Sequence, residues 1–406
     1  MASSEINSNR NGFLHPFVVA TAIWASVALL YALHLSYQLL FPMSQVLPVV
    51  FAIWAPFAIV GLVYFIFQPP SMHRPFTVGK PTPEQLAICE ARLKPLLKLW
   101  IGATILETIA SGGLPIIWSV THSAKQYYDY GIPSVHGFVM SLFLALTLCY
   151  FLLYLLTGEK KYLKFPVFAI FWTLVLITRG TMVYLLLEFA VLSLRIKRIR
   201  AKLVAIMVGA AVTLILVFGV VGDIRSGAES FRELAEPTAS YPSWSPSGIL
   251  WAYVYITTSI NNLTYTLETS QPVRKLLLPN TLAPLFPTVI RNTIYGSASQ
   301  AAEVLDGNLP DFNFVASTAY VGPAEDFGIA AIFGFSLVVA LVCNWYWYKC
   351  DMRSQLIFAV LMLCLILSSY FDLFLSLPII TQIFWFAIIF RKRFWMSLAN
   401  RRLSNA

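Results

Sequence analysis

The residues best suited to chemistry in this chain are arginines that lie between or after apolar segments. Arg179 separates two short apolar runs, 162–178 and 181–195. A guanidinium binds two oxygens of a phosphate at once and stays charged at physiological pH. Four more arginines share a long segment with nine prolines: Arg225, Arg232, Arg274 and Arg291. Together they indicate a phosphate or pyrophosphate site, although a solvated surface ion pair is the common alternative for any one of those four.

Three other side chains offer proton transfer or hydrogen bonding. His136 begins the apolar run 136–157 and can act as a base or hydrogen-bond donor near neutral pH. Glu107 lies inside the run 99–118, and an ionisable group at membrane depth marks a functional site by default. Asp326 either caps the helix that follows it or points its carboxylate into a site. A structural histidine and a hydrogen-bonded helix anchor are the alternatives for His136 and Glu107.

Aromatic and amide side chains add a means of holding a sugar. Trp251, Tyr255, Asn261 and Asn262 share the stretch 248–269, and Tyr320 lies further along. Flat aromatic rings suit stacking on sugar faces, whereas a belt at the lipid–water interface explains the same rings without a ligand. The expected catalytic residues are Arg179, Arg225, Arg291, His136 and Asp326. The expected substrate-binding residues are Arg232, Arg274, Glu107, Asn261, Asn262, Trp251, Tyr255 and Tyr320.

The composition shows which elements must position these residues. The 406 residues are 58% hydrophobic and 12% charged, with a mean hydropathy of +0.72, and a water-soluble domain of this size does not sustain that balance. Eight apolar runs are long enough to cross a bilayer. They are 17–40, 46–68, 99–118, 136–157, 203–222, 328–348, 355–371 and 374–390. The two shorter runs beside Arg179 predict a hairpin, so we expect an all-α polytopic membrane protein with about ten transmembrane helices.

The hairpin has a consequence for Arg179. Two helices of about 16 residues reach only about 24 Å at 1.5 Å per residue, so the turn between them is expected to lie below the outer membrane surface. A guanidinium at that depth faces a protein interior or a wet cavity. An interfacial arginine that reaches lipid phosphate is the alternative.

The basic residues predict the topology. With the N-terminus inside, 21 of the 28 Lys and Arg residues fall in cytoplasmic segments and seven fall outside, as cytoplasmic loops of membrane proteins require. Both ends are then cytoplasmic, and the net charge of +9 needs no nucleic-acid partner. The expected parts are seven helices in 1–222 with an amphipathic cytoplasmic segment at 83–98, a large external loop at 223–327 that carries the chemistry, and three helices with a basic tail in 328–406.

Two further expectations concern the external side. The stretch 248–269 has an apolar core too short to span, so we expect an amphipathic helix on the outer surface. All five cysteines fall in helices or on the cytoplasmic side, which leaves no external thiol for a disulfide or a metal. We therefore expect no cofactor and no metal.

Several motifs in this order resemble a known family. They are GGLP at 112–115, YGIPSVHG at 130–137, TRG at 178–180, YITTSINNLTY at 255–265 and STAYVGPAEDFG at 317–328. The ordered set resembles the Wzy-type polymerases of O-antigen and exopolysaccharide repeat units. The resemblance implies a metal-independent glycosyltransferase of the GT-C type, similar in fold to the O-antigen ligases, that acts on undecaprenyl-pyrophosphate-linked repeat units at the outer face of the bacterial inner membrane. A chain-length regulator and a flippase of the same pathway are possible partners.

Two other functions stay open on the sequence. An O-antigen ligase uses the same donor, but its family carries a histidine in the large external loop, and 223–327 contains none. A transporter or flippase of the pathway typically has repeated halves and polar sites at the membrane midplane, whereas this chain has no evident repeat. Both comparisons favour a polymerase.

Overall fold

The computed structural model describes residues 12–67, 81–196, 228–242, 244–275, 277–295 and 316–391, together with residues 209, 213, 219 and 314. These residues contain no β-strand, only an isolated bridge between Ser36 and Pro237. Their α-helices are α1 (Pro16–Ala32), α2 (Met43–Phe67), α3 (Pro83–Ser111), α4 (Pro115–Val120), α5 (His136–Thr157), α6 (Lys164–Val175), α7 (Arg179–Ile196), α8 (Ala228–Ala235), α9 (Ser247–Thr269), α10 (Pro279–Leu282), α11 (Thr288–Tyr295), α12 (Val321–Phe327), α13 (Ile329–Trp347), α14 (Met352–Leu367), α15 (Leu377–Ile380) and α16 (Gln382–Ile389). The all-α prediction is therefore confirmed for this part of the chain.

Helices long and apolar enough to cross a membrane account for much of the described chain. Four qualify by length and composition: Met43–Phe67, Pro83–Val120, His136–Thr157 and Ile329–Trp347. Three more apolar helices are shorter: Pro16–Ala32, Met352–Leu367 and Leu377–Ile389. A helix occupies nine of the ten predicted runs, and most of the tenth, 203–222, lies outside the described residues. The count of ten crossings stays a prediction.

Local sequence signals explain where these helices begin and end. Thr82 and Gln85 form a capping box at the start of α3, and Gly112 ends the helix in a left-handed conformation with φ 75°. The amphipathic segment 83–98 and the first part of the third apolar run, as far as Ser111, are thus one helix with Pro95 inside it, and the end of the run lies in α4. Asp351 caps α14 by accepting a hydrogen bond from the backbone of Ser354.

Helices α5 and α14 form the centre of the bundle. Fourteen residues of α5 are buried, and α14 is buried continuously from Ser354 to Leu365. Helix α5 contacts α3, α6, α7, α15 and α16, while α14 packs on α7 and α13. Because α5 begins at His136, the bundle core holds this residue at one end of its central helix.

The predicted hairpin around Arg179 is present. Helices α6 and α7 pack against each other and are joined by residues 176–178. At its other terminus α7 is anchored by Arg195, whose side chain is buried. Arg195 donates hydrogen bonds to Gln355 and to the carbonyl of Trp347, and its guanidinium lies 4.2 Å from the centroid of the Trp347 ring. The arginine thus joins α7 to α13 and α14.

Helix α9 differs from its prediction as an amphipathic surface helix. Every residue from Thr257 to Thr264 is buried, and the helix packs against α1, α2 and α12. Its threonine and serine hydroxyls bond to carbonyls one turn back, as between Thr258 and Val254 at 2.7 Å. A polar stretch whose hydroxyls are satisfied inside the helix can be buried at little cost.

Candidate functional site

The structure brings Glu107 of α3 and His136 of α5 into direct contact. The Nδ1 atom of His136 lies 3.1 Å from Oε1 and 3.2 Å from Oε2 of Glu107. The glutamate side chain is 2% exposed and that of the histidine is 34% exposed. One member of the pair is therefore sequestered, while the other can reach a ligand.

Two glycines in the connection between α3 and α5 make this contact possible. Gly112 turns the chain after α3, and Gly131 has φ 104°. A Cβ atom at Gly131 would lie 2.5 Å from Cγ and Nδ1 of His136, so any larger residue would displace the imidazole ring. The backbone N–H of Ile132 adds a longer hydrogen bond of 3.4 Å to Glu107.

Ser111 and Lys125 hold the same connection in place. The Ser111 hydroxyl accepts a hydrogen bond of 2.8 Å from the backbone N–H of Gly131. The Lys125 ammonium donates one of 2.6 Å to the Ser111 carbonyl, at the carboxyl end of α3 where a cation is favoured. Neither residue was among those expected from the sequence, because their role depends on a fold-back that no local pattern shows.

The contact with Glu107 defines what His136 can do. A carboxylate beside Nδ1 can accept a hydrogen bond from the Nδ1–H group, and the tautomer that donates this bond presents Nε2 as a proton acceptor. Tyr130 stands edge-on to the imidazole, with ring centroids 5.7 Å apart, and its hydroxyl lies 3.0 Å from Thr108 Oγ1. The ring is thus held in one orientation, which is the geometry of a general base with an orienting acid. Tyr130 belongs to the YGIPSVHG motif, and this was the signal that could have identified it.

The pair borders a small, mostly apolar pocket. The pocket is lined by Trp100, Thr104, Glu107, Tyr130, His136, Val139, Met140, Phe143, Trp172 and Leu176. Trp172 and Leu176 come from the end of α6 and the turn that follows it. These two residues of the pocket wall precede Arg179 by seven and three positions in the chain.

Arg179 is the first residue of α7, and its side chain is exposed. Ile177, two residues before Arg179, has φ 57°, a conformation that costs a β-branched residue about 1 to 3 kcal/mol and sharply reverses the chain. Unpaired N–H groups and the helix dipole make the start of a helix attractive to anions, and the guanidinium adds a full charge there. The described residues give Arg179 no ion-pair partner. Its depth in a membrane stays a prediction.

The other expected arginines are described only in part. Arg232 and Arg274 are exposed, and Arg291 is partly exposed. Arg225 lies outside the described residues. Within the described residues no hydrogen bond or ion pair joins Arg274 or Arg291 to Glu107 or His136. The roles of these arginines in substrate binding or catalysis stay predictions.

Asp326 has a different role from the catalytic one expected. Its side chain is fully buried and accepts hydrogen bonds from the backbone N–H groups of Asn280 and Thr281 and from the Thr281 hydroxyl, at 3.1, 2.8 and 2.6 Å. Its own carbonyl accepts a bond of 2.9 Å from Arg274 N–H. Both carboxylate oxygens are therefore engaged in holding α10 and the Arg274 segment onto α12, and we remove Asp326 from the catalytic set.

Three residues expected to bind substrate are instead part of the protein core. Asn261 accepts hydrogen bonds from the Tyr31 hydroxyl and the Leu40 backbone. Asn262 donates to the carbonyls of residues 314 and 316 at 2.7 and 2.8 Å. Tyr320 is fully buried, with its ring against Trp24 and Phe335. These side chains hold α9 and α12 against the rest of the bundle and are buried away from any ligand.

Trp251 and Tyr255 form an aromatic pair on α9, and their predicted role in sugar binding stays a prediction. Both are partly exposed, and their rings stack with centroids 5.2 Å apart and an interplanar angle of 16°. Tyr255 also meets Tyr370 edge-on, at 5.4 Å and 89°. Tyr370 was not among the expected residues, since it comes from a segment after α14 that is distant in sequence.

No group of three or more His, Cys, Asp or Glu side chains in the described part of the chain could hold a metal ion. The expectation of a metal-independent reaction stays a proposal.

Comparison with known proteins identifies the family. A family model described as O-antigen polysaccharide polymerase Wzy matches residues 93–303, a range that contains Glu107, His136 and Arg179. No curated protein and no solved structure matches the chain. The apolar helices and this match agree on an integral membrane protein. Because the match covers more than half of the 406 residues, the chain belongs to the O-antigen polysaccharide polymerase family Wzy.

Proposed function

We propose that this protein polymerises lipid-linked oligosaccharide repeat units at the periplasmic face of the bacterial inner membrane. It transfers a growing glycan from undecaprenyl pyrophosphate to a hydroxyl group of an incoming repeat unit. Membership of the Wzy family supports the polymerase reaction in general. The donor, the membrane face and the residue roles below are part of the proposal.

One observation supports the assignment of roles: a carboxylate–imidazole pair borders a pocket that is also lined by Leu176, three residues before Arg179. Glycan transfer needs a base for the attacking hydroxyl and a positive site for the departing pyrophosphate. His136 supplies the first, and Arg179 with the N-terminus of α7 supplies the second. The position of Leu176 in the pocket wall supports this pairing of the two groups.

In the proposed reaction one proton is transferred, one glycosidic bond forms and one bond to pyrophosphate breaks. Nε2 of His136 accepts the proton of the acceptor hydroxyl as its oxygen bonds to the anomeric carbon of the donor. The bond from that carbon to the pyrophosphate oxygen breaks, and undecaprenyl pyrophosphate leaves as an anion. Glu107 stabilises the imidazolium formed, and Arg179 stabilises the charge that grows on the leaving oxygen. The proton on His136 is released to solvent before the next cycle.

The remaining expected residues have supporting roles in this proposal. Arg232, Arg274 and Arg291, with Arg225, hold the phosphates of the second lipid-linked substrate, while Trp251 and Tyr255 hold sugar rings. Fixed arginines replace the divalent cation that other enzymes use on pyrophosphates, so the reaction needs no metal.

Contacts at the two ends of the bundle support a topology with both termini in the cytoplasm. At the end predicted to be external, Leu35 accepts a hydrogen bond of 3.0 Å from Thr238, which joins the loop after α1 to the segment before α9. At the end predicted to be cytoplasmic, Lys161 pairs with Glu90 at 3.0 Å. Each pair joins segments that the charge distribution assigns to one side.

A ligase and a flippase remain the alternatives, and the glycan profile of a deletion strain distinguishes them. Loss of a polymerase leaves single repeat units on the lipid core, whereas loss of a ligase or flippase leaves a bare core. We expect single repeat units, restored to long chains by the wild-type gene. A bare core in the deletion strain would reject the polymerase proposal.

A further inference from the structure

Three tyrosines from separate parts of the chain lie toward the same end of the bundle. They are Tyr184 of α7, Tyr255 of α9 and Tyr370, which follows α14. Tyr255 and Tyr370 are in edge-on contact. Helix α7 packs against α14, and Arg195 at the end of α7 bonds to Gln355 at the start of α14, so Tyr184 near the start of α7 lies toward the end of α14 that precedes Tyr370. All three side chains are partly exposed. We call this group the tyrosine cluster.

The cluster lies beside the residue proposed to bind the leaving pyrophosphate. The Tyr184 side chain folds back along α7, so that a Cβ atom at Gly180 would be 3.5 Å from the Tyr184 hydroxyl. Gly180 is the neighbour of Arg179. The Tyr184 hydroxyl therefore lies beside the first turn of α7, which begins at Arg179.

Two features distinguish the cluster from an aromatic belt that faces lipid. The rings of Tyr255 and Tyr370 contact each other across different elements, and both Tyr184 and Trp251, whose ring stacks on Tyr255, pack against the hydrophobic core. In addition, the hydroxyls of Tyr184 and Tyr370 have no hydrogen-bond partner within the described residues. A half-buried phenol without a partner gains a hydrogen bond when a polar ligand arrives.

We propose that the tyrosine cluster is a subsite for a pyranose ring, namely the sugar of the donor glycan that is attached to the pyrophosphate. This inference rests on the proposed function. One outer face of the stacked Trp251–Tyr255 pair covers the apolar face of the sugar, and the Tyr184 and Tyr370 hydroxyls bind its hydroxyl groups. Rigid tyrosines suit such a site, since they offer apolar area and a polar tip at low conformational cost.

Binding of the lipid-free repeat-unit oligosaccharide, prepared from the producing strain's own polysaccharide, tests the subsite. The full-length protein in lipid nanodiscs is titrated with this probe. Tyr184→Phe and Tyr370→Phe each remove one hydroxyl while keeping the ring, and each is expected to weaken binding by about 3- to 10-fold. The double variant should weaken it further. Tyr265→Phe is the matched control, because Tyr265 is also a partly exposed tyrosine of α9 but contacts Phe41 rather than the cluster.

Polymer formation from lipid-linked repeat units, measured in parallel, separates the two proposals. If the wild type binds the oligosaccharide, the Phe variants bind it weakly and no protein makes polymer, the subsite stands and the polymerase proposal fails. If the wild type makes polymer and both Phe variants bind the probe as tightly as the wild type, the subsite is rejected and the polymerase proposal stands. Failure of the wild type to bind the oligosaccharide also rejects the subsite.

Discussion

Nδ1 of His136 lies 3.1 Å from a carboxylate oxygen of Glu107, a residue 29 positions earlier in the chain. The carboxylate is buried and the imidazole is partly exposed. In the proposed mechanism this arrangement orients His136 as a base at the predicted external end of the central helix, and that role requires the charge of Glu107 as well as its shape.

Replacing Glu107 by glutamine separates charge from shape. Glu107→Gln keeps a hydrogen-bond acceptor of the same size but cannot stabilise an imidazolium. We expect kcat of the purified enzyme to fall about 100-fold, since general-base catalysis contributes roughly 10²- to 10⁴-fold. Glu84→Gln, an exposed change in the first turn of the same helix, should leave kcat unchanged. Wild-type turnover by Glu107→Gln would mean that the pair is only a structural anchor.

Removing Arg179 tests the leaving-group site. Arg179→Ala should abolish polymer while the protein still inserts and accumulates, because a cation beside the departing pyrophosphate contributes on the order of 3 kcal/mol, or about 100-fold in rate. Arg179→Lys should restore activity only in part, since lysine keeps the charge but loses the two-pronged contact. Polymer of normal length and rate from Arg179→Ala would make this residue a headgroup anchor, and the role would pass to Arg225 or Arg291.

Asp326→Ala should affect stability rather than chemistry. It removes three hydrogen bonds that hold residues 280 and 281 against α12, and we expect a loss of about 2 kcal/mol or more in folding free energy. Thermal unfolding in detergent should show a lower midpoint, while kcat per folded molecule stays within about threefold of the wild type. An unchanged unfolding midpoint combined with lost turnover would return Asp326 to the catalytic set.

Glu325 predicts a pH dependence of stability. Burial, and then the nearby charge of Asp326, raise the pKa of Glu325 from 4.5 to about 7 in the folded protein. Between these two pH values the folded state holds a proton that the unfolded state has released, so stability falls as pH rises through this window and levels off above it.

Replacing Glu325 by glutamine removes the titrating carboxyl group and with it this pH dependence of stability. The unfolding midpoint of Glu325→Gln relative to the wild type should therefore increase from pH 5 to pH 8. The control is Glu268→Gln, whose exposed side chain lies on α9. The difference between Glu325→Gln and the wild type would be independent of pH if Glu325 were already ionised throughout the range.

The apolar helices of the bundle were predictable from the sequence because an apolar run of suitable length marks each one. The run 136–157 coincides with α5 residue for residue, and the hairpin around Arg179 followed from two runs too long for one helix. The burial of α9 was not predictable in this way. Its serines and threonines gave it a polar, surface-like sequence, and only their hydrogen bonds within the helix, such as that of Thr257 to Tyr253, explain why it is buried.

The candidate site was predicted as separate residues rather than as a geometry. Glu107 and His136 were each expected to act, but their contact depends on the positive φ angles of Gly112 and Gly131, which no spacing pattern reveals. Asn261 had the residue type of a binding group, yet its amide oxygen is used by Tyr31 and Leu40. A polar side chain in a membrane protein thus has two explanations, and only its hydrogen-bond partners distinguish them.

The most direct test of the central claim is polymer synthesis by the purified protein in liposomes that contain undecaprenyl-pyrophosphate-linked repeat units and EDTA. The proposal predicts a ladder of glycans longer than one repeat unit, with one undecaprenyl pyrophosphate released for each bond formed and no requirement for divalent cations. Substrate that stays as single repeat units with and without added cations would contradict the polymerase claim. Synthesis that stops in EDTA and resumes when a divalent ion is restored would contradict the metal-independent mechanism.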